Sequence, residues 1–329
     1  MTQDAPPEYL EDLGNKSVIY IHPRSTSKSH VNAISHLITD SVAITKQPFK
    51  FLRLALSARS SNRYIVAGNL DFVAIASLLI LAAAPGRYIL HLSSHKTNIF
   101  HKSIIGFYLN FKGASLAFVT NFAKKVFVEQ IGHSVSRSSH VVYHTSETCE
   151  FAKSQSVLPP WHSRYYDVIF FGRLNDERGL LEFLDIPKKL TDLKFAVAGS
   201  GPLVQDVLEA ETALSNLDYL GNLSDTDAKF SALANSKILF SNMKGTENFG
   251  ISILEALASG TAVSCPRDYG PEEILGLTSP YLREPSANIV EKCSHVRSLL
   301  VHPPKPSSLK KFDANTIRKT WESFLRIDA

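Results

Sequence analysis

Cysteine is scarce. The 329 residues hold three, Cys149, Cys265 and Cys293, an odd number set far apart. That argues against a disulfide framework and against the close spacing of a structural metal site, and a reducing compartment fits best. Long apolar runs are also missing. The most apolar stretch, Phe72–Ala84, has 13 residues; a bilayer crossing needs about 20, so this reads as a buried helix. Met1–Asn15 has no apolar centre and carries Asp4, Glu8, Glu11 and Asp12, which does not read as a signal peptide. No internal repeat, low-complexity tract or nucleic-acid motif stands out. What is present is 44% hydrophobic residues, ample for globular cores, at a length that suits two domains of about 150 residues.

Charge is unevenly spread. Residues 1–165 hold 17 Lys/Arg against 9 Asp/Glu, while residues 166–329 hold 18 against 22. An uneven solvated surface explains this as readily as a partner does. Among partners, the absence of a nucleic-acid motif ranks an anionic membrane surface above nucleic acid.

Strand and helix patterns alternate along the chain, which predicts parallel, doubly wound α/β sheets. In the first half, strands are expected at Val18–His22, Val42–Thr45, Tyr64–Ala67, Tyr88–Leu92, Lys125–Val128 and Val141–Tyr143. Helices are expected at Ser29–Thr39, Leu70–Ala84 and across Ile99–Phe122, with a basic amphipathic one at Phe49–Ala58. Residues 145–165 lose periodicity around Pro159-Pro160 and read as a linker, giving domains 1–160 and 161–309. The second half has strands at Val168–Phe171, Lys194–Ala198, Leu217–Leu220, Ile238–Ser241 and Thr261–Ser264. Its helices are Gly179–Leu190, Pro202–Leu214, Asp225–Ala234 and Phe249–Ser259. After Pro303, Pro304 and Pro306 a last amphipathic helix, Ala314–Arg326, is expected, and the 310–329 tail to pack back on the first domain. In such sheets ligands bind at the carboxyl ends of the strands, in the cleft between domains.

Chemistry concentrates around residues 240–260. The strand Ile238–Ser241 leads through a loop to Glu247 and then to a helix starting near Asn248 and stopped by Gly260. The N–H groups of Asn248, Phe249, Gly250 and Ile251 are then donors of a first helical turn, where dipole and unpaired N–H groups attract phosphate. Gly250 removes bulk where a ligand would approach. Ile251, Leu254, Leu257 and Ala258 form the buried stripe, and Glu255, off its centre, would border a cleft. Taken alone, Glu247 reads as a helix cap and Glu255 as a solvated charge.

Other strand ends add to this. Phe170-Phe-Gly-Arg-Leu174 puts Arg173 at a carboxyl end, with Arg178-Gly179 close behind; guanidinium groups there can grip diphosphate oxygens. Ala198-Gly-Ser-Gly-Pro202 is a glycine-rich strand-to-helix turn containing Gly199 and Gly201. Asp225-Thr-Asp227 opens a helix, where acidic residues cap the N-terminus, so no metal site is expected. Tyr88-Ile-Leu-His-Leu-Ser-Ser-His-Lys96 sets His91 at a strand end, with His95 and Lys96 in the loop beyond.

Glu-x7-Glu enclosing Asn-Phe-Gly, followed by Glu-Ala-Leu-Ala-Ser-Gly, resembles the donor signature of retaining glycosyltransferases of family four, which have the GT-B fold. Gly172-Arg173-Leu174, the Gly199–Pro202 turn, Leu220-Gly-Asn-Leu223 and Asp268-Tyr-Gly-Pro-Glu-Glu273 follow in the family's order. The resemblance covers residues 168–275 by motif and residues 1–165 by strand order. It implies two Rossmann-like domains facing a cleft, a nucleotide diphosphate sugar as donor, and no cofactor or metal. Glu255 would hold the ribose hydroxyls, and Glu247 and His91 the sugar. Arg173, Arg178 and the N–H groups of residues 248–251 would hold the diphosphate, Gly199 and Gly201 would line the nucleotide pocket, and Lys96 would touch phosphate or acceptor. Three departures stand out, the first being Tyr269 in place of one glycine of the family's Gly-Gly-x-x-Glu loop. Arg178 replaces the family's lysine, and His22-Pro-Arg-Ser-Thr-Ser-Lys-Ser-His30 replaces its usual Gly-Gly loop. The implied activity is hexosyl transfer to a saccharide or lipid-linked acceptor of bacterial surface polysaccharide, in the cytoplasm or on the inner membrane face. A nucleotide-sugar epimerase, or a nucleotide-sugar-binding scaffold without catalysis, stays open beside it.

Overall fold

The computed structural model describes residues 18–22, 38–43, 64–68, 87–92, 53, 103, 105, 114–131 and 139–327, apart from 156, 244–246 and 304–307. The chain divides into two compact units. One comprises Met1–Val119, Ala123–Val142 and Thr320–Ala329; the other comprises Thr120–Phe122 and Tyr143–Lys319.

The first unit holds a six-stranded parallel sheet, β1 (Val18–His22), β2 (Ile38–Ala43), β3 (Tyr64–Gly68), β4 (Arg87–Leu92), β5 (Ala114–Phe118) and β6 (Ser139–Val141). Its order is β2-β1-β3-β4-β5-β6. Helix α1 (Asn121–Ile131) follows β5, and buries Ala123 and Phe127, one turn apart, with the Phe127 ring 5.2 Å from that of Phe118. The end of the last helix, carrying Phe324, contributes a ring 4.1 Å from that of His140.

Three expectations give way here. Strand β5 lies inside the stretch expected as helix Ile99–Phe122, because residues 115–118 are buried and a run buried on both faces shows no alternation. Lys125–Val128, expected as a strand, lies within α1; its β-branched and aromatic content favours strand locally, and packing of Ala123 and Phe127 overrides it. Strand β2 starts at Ile38, inside the end of the helix expected over Ser29–Thr39. The helices expected at Leu70–Ala84 and Phe49–Ala58, the loop 23–30, His95 and Lys96 lie outside the described residues, except Arg53, which is helical and exposed.

In the second unit, α2 (Glu147–Ser154) precedes β7 (Tyr166–Arg173), α3 (Leu180–Lys189), β8 (Phe195–Ser200), α4 (Val204–Ala213), β9 (Leu217–Tyr219) and α5 (Thr226–Ala234). Then come β10 (Ser236–Phe240), α6 (Ile251–Ala258), β11 (Ala262–Pro266), α7 (Glu272–Leu275), β12 (Leu282–Arg283), α8 (Ile289–Val301) and α9 (Ala314–Ile327). The sheet order β12-β11-β10-β7-β8-β9 reverses direction between β7 and β10. That reversal opens a crevice at the carboxyl ends of those two strands.

Phe183 of α3 is fully buried, with its ring within 6.1 Å of Phe170, Phe195 and Phe240 on three neighbouring strands. Burying such a ring contributes about 2–3 kcal/mol. Residues 145–165 are tied to this unit rather than hanging as a linker. Phe151 packs on Phe230, 5.4 Å between rings. Buried Arg164 donates to the Ser236 and Gly260 carbonyls at 3.0 and 2.8 Å.

Candidate active site

The site is built where β7 and β10 end. Gly199 and Gly201 are fixed by backbone packing: a Cβ on Gly199 would stand 1.7 Å from the Gly172 carbonyl oxygen, and one on Gly201 would stand 2.3 Å from that of Leu174. The two strand ends therefore lie against each other, and Arg173 emerges exposed at the tip of β7. Among the described residues no carboxylate pairs with it.

A short turn, Asp176–Arg178, follows, capped by the Asn175 side chain, which accepts from the Arg178 N–H at 3.1 Å. Gly179 then takes a left-handed φ of 71°, and a Cβ there would lie 2.0 Å from the Asn242 carbonyl oxygen. This close approach puts Arg178 beside the loop after β10. Its Nη1 donates to Glu247 Oε2 at 2.5 Å and stands 2.9 Å from Met243 Sδ. The arginine side chain is 40% exposed and that of the glutamate 15%. Arg178, Met243, Ser241, Phe240, Gly172 and Ser252 border a small hollow open to solvent.

Helix α6 starts at Ile251, later than expected, because Gly250 has a φ of 89° and sits outside the helix as its N-cap residue. The N–H groups of Gly250 and Ile251 therefore lead the helix, whereas those of Asn248 and Phe249 belong to the preceding loop. A Cβ on Gly270 would lie 1.8 Å from the Asn248 carbonyl, and Gly270 N–H donates to the Glu247 carbonyl at 2.9 Å. Thr120 Oγ1 donates to the Asn248 carbonyl at 2.7 Å. The Phe249 side chain is core, in ring contact with Tyr143, His144 and Phe312.

Glu255 departs from the expected cleft border. It is 7% exposed, on a helix that packs against α2. Burial pushes its pKa up, against nearby Ser146, Thr148 and Lys229, which pull it down. Glu273, at the end of the matched loop, caps α1 instead: its oxygens accept from Phe122 N–H at 2.6 Å, Asn121 Nδ2 at 3.0 Å and Tyr143 OH at 3.0 Å. Asp225 caps α5, accepting from Ala228 N–H at 3.0 Å. His91 lies in β4, in register with Gly68 and Ala117.

A polar hub behind the site was invisible in the sequence. Asn242 Nδ2 donates to Glu182 Oε2 at 2.7 Å, and Lys292 donates to the same oxygen. Buried Arg283 donates through Nη2 to Asn242 Oδ1 and the Ser241 carbonyl, both at 2.7 Å. Burial lowers the Arg283 pKa to about 10. The hub fixes the loop that carries Met243 next to Arg178.

Residues 159–314 match the family described as glycosyl transferases group 1. That segment resembles a group 1 glycosyl transferase domain. It contains Arg173, Arg178, Glu247 and Glu255. Over 101 residues the chain is 34% identical to phosphatidyl-myo-inositol mannosyltransferase of Mycobacterium tuberculosis, and equally to that of Mycobacterium bovis. The match takes in 29% of this chain and 26% of the relative, so the chain spans about a quarter of the length of the curated relatives it matches. Among solved structures, Anabaena HepE in complex with UDP and glucose superposes with a TM-score of 0.73 at 13% identity, covering 94% of this chain and all of that one, 100%. The lipopolysaccharide outer core galactosyltransferase WaaB superposes with a TM-score of 0.68 at 12% identity, over 95% and 100% of the two chains. A glycosyltransferase from Rickettsia africae gives 0.63 at 16% identity, over 95% and 99%. These likenesses establish the fold as GT-B, with two Rossmann-like domains.

Proposed function

We propose that the protein is a retaining glycosyltransferase that moves a hexose from a nucleotide diphosphate sugar to a saccharide or lipid-linked acceptor. The observation that carries this reading is the grouping of Arg178 with Glu247, beside the exposed end of β7 and the start of α6. Two guanidinium groups and the N–H groups of Gly250 and Ile251 suit a diphosphate that gains charge as it leaves. Glu247 and His91 orient the sugar. The bond from the anomeric carbon to the phosphate oxygen breaks, the acceptor oxygen bonds to that carbon from the same face, and its proton passes to the departing phosphate. No protein nucleophile is assigned, and placement with electrostatics supplies the rate. No cofactor or metal takes part. The similarity to a mannosyltransferase, a galactosyltransferase and a protein in complex with UDP and glucose supports donor and reaction class. The test is a screen of UDP-, GDP- and ADP-hexoses for slow hydrolysis, read by mass spectrometry. Release of nucleoside diphosphate from one donor is expected, and no release from any of them overturns the reading.

The acceptor is proposed to be lipid-linked, at the inner face of a bacterial membrane, as part of surface polysaccharide synthesis. Residues 16–165 carry 17 basic and 5 acidic side chains, and each basic group near an anionic surface contributes about 1 kcal/mol. Among the described residues no helix is long and apolar enough to cross a membrane. Cosedimentation with anionic but not neutral vesicles, weakening with salt, is expected. Equal recovery in the supernatant with both vesicle types removes the membrane from the proposal.

A further inference from the structure

Arg283 closes β12, the edge strand of the second sheet, and is 6% exposed. Its Nη2 donates to the Ser241 carbonyl and to Asn242 Oδ1, each at 2.7 Å, and its guanidinium lies over the Phe240 ring, 5.0 Å from the centroid. Phe240 and Ser241 both border the hollow beside Arg178, so a cation stands one residue behind that wall. Both of these acceptors are neutral. The carboxylate of the hub, Glu182, is taken by Lys292, whose side chain is 9% exposed, and by Asn242 Nδ2 at 2.7 Å. Arg283, Lys292 and Glu182 therefore leave one positive charge over, while Arg178 and Glu247 in front of them cancel. Burial lowers the Arg283 pKa only to about 10, which leaves it charged at neutral pH. A buried cation bonded to neutral groups costs stability, and an anion brought near it offsets that cost. The apolar ring between them screens little, so the field of the cation reaches into the hollow.

We infer that Arg283 is a positioning residue that acts by charge, drawing the diphosphate of the donor toward Arg178 from behind the hollow without touching it. The inference rests on the reading of the Arg178 hollow as the diphosphate site. Charge and geometry predict different signs. If the hub only held the loop after β10, removing either of its charged members would loosen that loop and weaken binding. If it acts by charge, removing the cation and removing the anion have opposite effects.

The experiment measures binding rather than activity. UDP, GDP and ADP are titrated calorimetrically into the full chain, and the one that binds is compared with its monophosphate, which carries less charge. Arg283→Gln retains an N–H donor and removes the charge. It should weaken the diphosphate about tenfold and the monophosphate only about threefold, since the attraction scales with the charge of the ligand. Glu182→Gln keeps the shape and makes the hub more positive. It should tighten the diphosphate about threefold, an effect that a loosened or misfolded protein cannot give. Effects of the same sign in the two variants, or no effect in either one, overturn the inference. Arg178→Ala, run beside them, reports on the site itself: a loss of diphosphate affinity there keeps the diphosphate reading whatever the hub does. Unchanged affinity in Arg178→Ala removes that reading, and the inference with it.

Discussion

Arg178 Nη1 stands 2.5 Å from Glu247 Oε2, so the two charges expected to handle phosphate and sugar are bonded to each other. A donor must draw on both. Partly exposed ion pairs contribute only about 0–1 kcal/mol to stability, so the pair matters through chemistry. Arg178→Ala is expected to lower kcat/KM by about a hundredfold, consistent with losing a group that faces developing charge. Arg178→Lys should recover only part, since an ammonium keeps the charge and loses the planar fork. The melting temperature should move little in either variant. Full activity in Arg178→Ala would remove the residue from the leaving-group site.

Arg173 makes a separate case, exposed at the tip of β7 with no carboxylate partner among the described residues. Its removal costs no packing. Arg173→Ala should reduce turnover at saturating donor by about a hundredfold with unchanged urea stability. EDTA should leave the wild-type rate intact. A rate that collapses with EDTA and returns with a divalent cation would put a metal in place of these guanidinium groups.

Gly179 links the site to the hub behind it. Its φ of 71° and the 2.0 Å approach of an added Cβ to the Asn242 carbonyl both oppose any side chain. Left-handed backbone costs a non-glycine residue about 1–2 kcal/mol, and the displaced carbonyl adds about 1–3. Gly179→Ala should therefore destabilise the protein by about 2–4 kcal/mol in urea titration. It should also raise the KM for donor by shifting Arg178 from Glu247. A stability loss below about 0.5 kcal/mol would mean that the loop after β10 yields freely.

The second unit was legible because glycine punctuates its strand-to-helix turns, and each glycine has a local backbone reason, as Gly199 and Gly201 show against Gly172 and Leu174. Strand β5 was illegible because burial on both faces erases the alternation that marks a strand. Helix α8 had a readable signal, the capping box of Asn288 with Glu291, that periodicity alone passed over. The position of Glu255 could not be read at all. Helical spacing placed it off the apolar stripe, yet it is buried because α2, far away in sequence, packs against its helix. Side chains paired across distant segments, such as Glu182 with Lys292, leave no local pattern.

His295 gives the fold a pH dependence that is independent of the active site. Its Nε2 lies 2.9 Å from the Pro280 carbonyl, which can only accept, so Nε2 carries a proton, and in the neutral ring Nδ1 accepts from Ser264 Oγ at 2.9 Å. Burial pushes the His295 pKa below its ordinary 6.5, with the Pro280 carbonyl opposing and Arg283 adding to the depression. As pH falls through about 6.5 the unfolded chain takes up its proton first, so the unfolded state gains and stability drops. The contribution is intact above the unfolded value and is lost on the way down to the folded one. Urea titrations at about pH 7.5 and pH 5 should therefore show wild type losing more stability than His295→Gln. The difference between the two proteins isolates this histidine from other titrating groups. Parallel losses in both would mean that the ring is charged as easily in the folded protein as out of it.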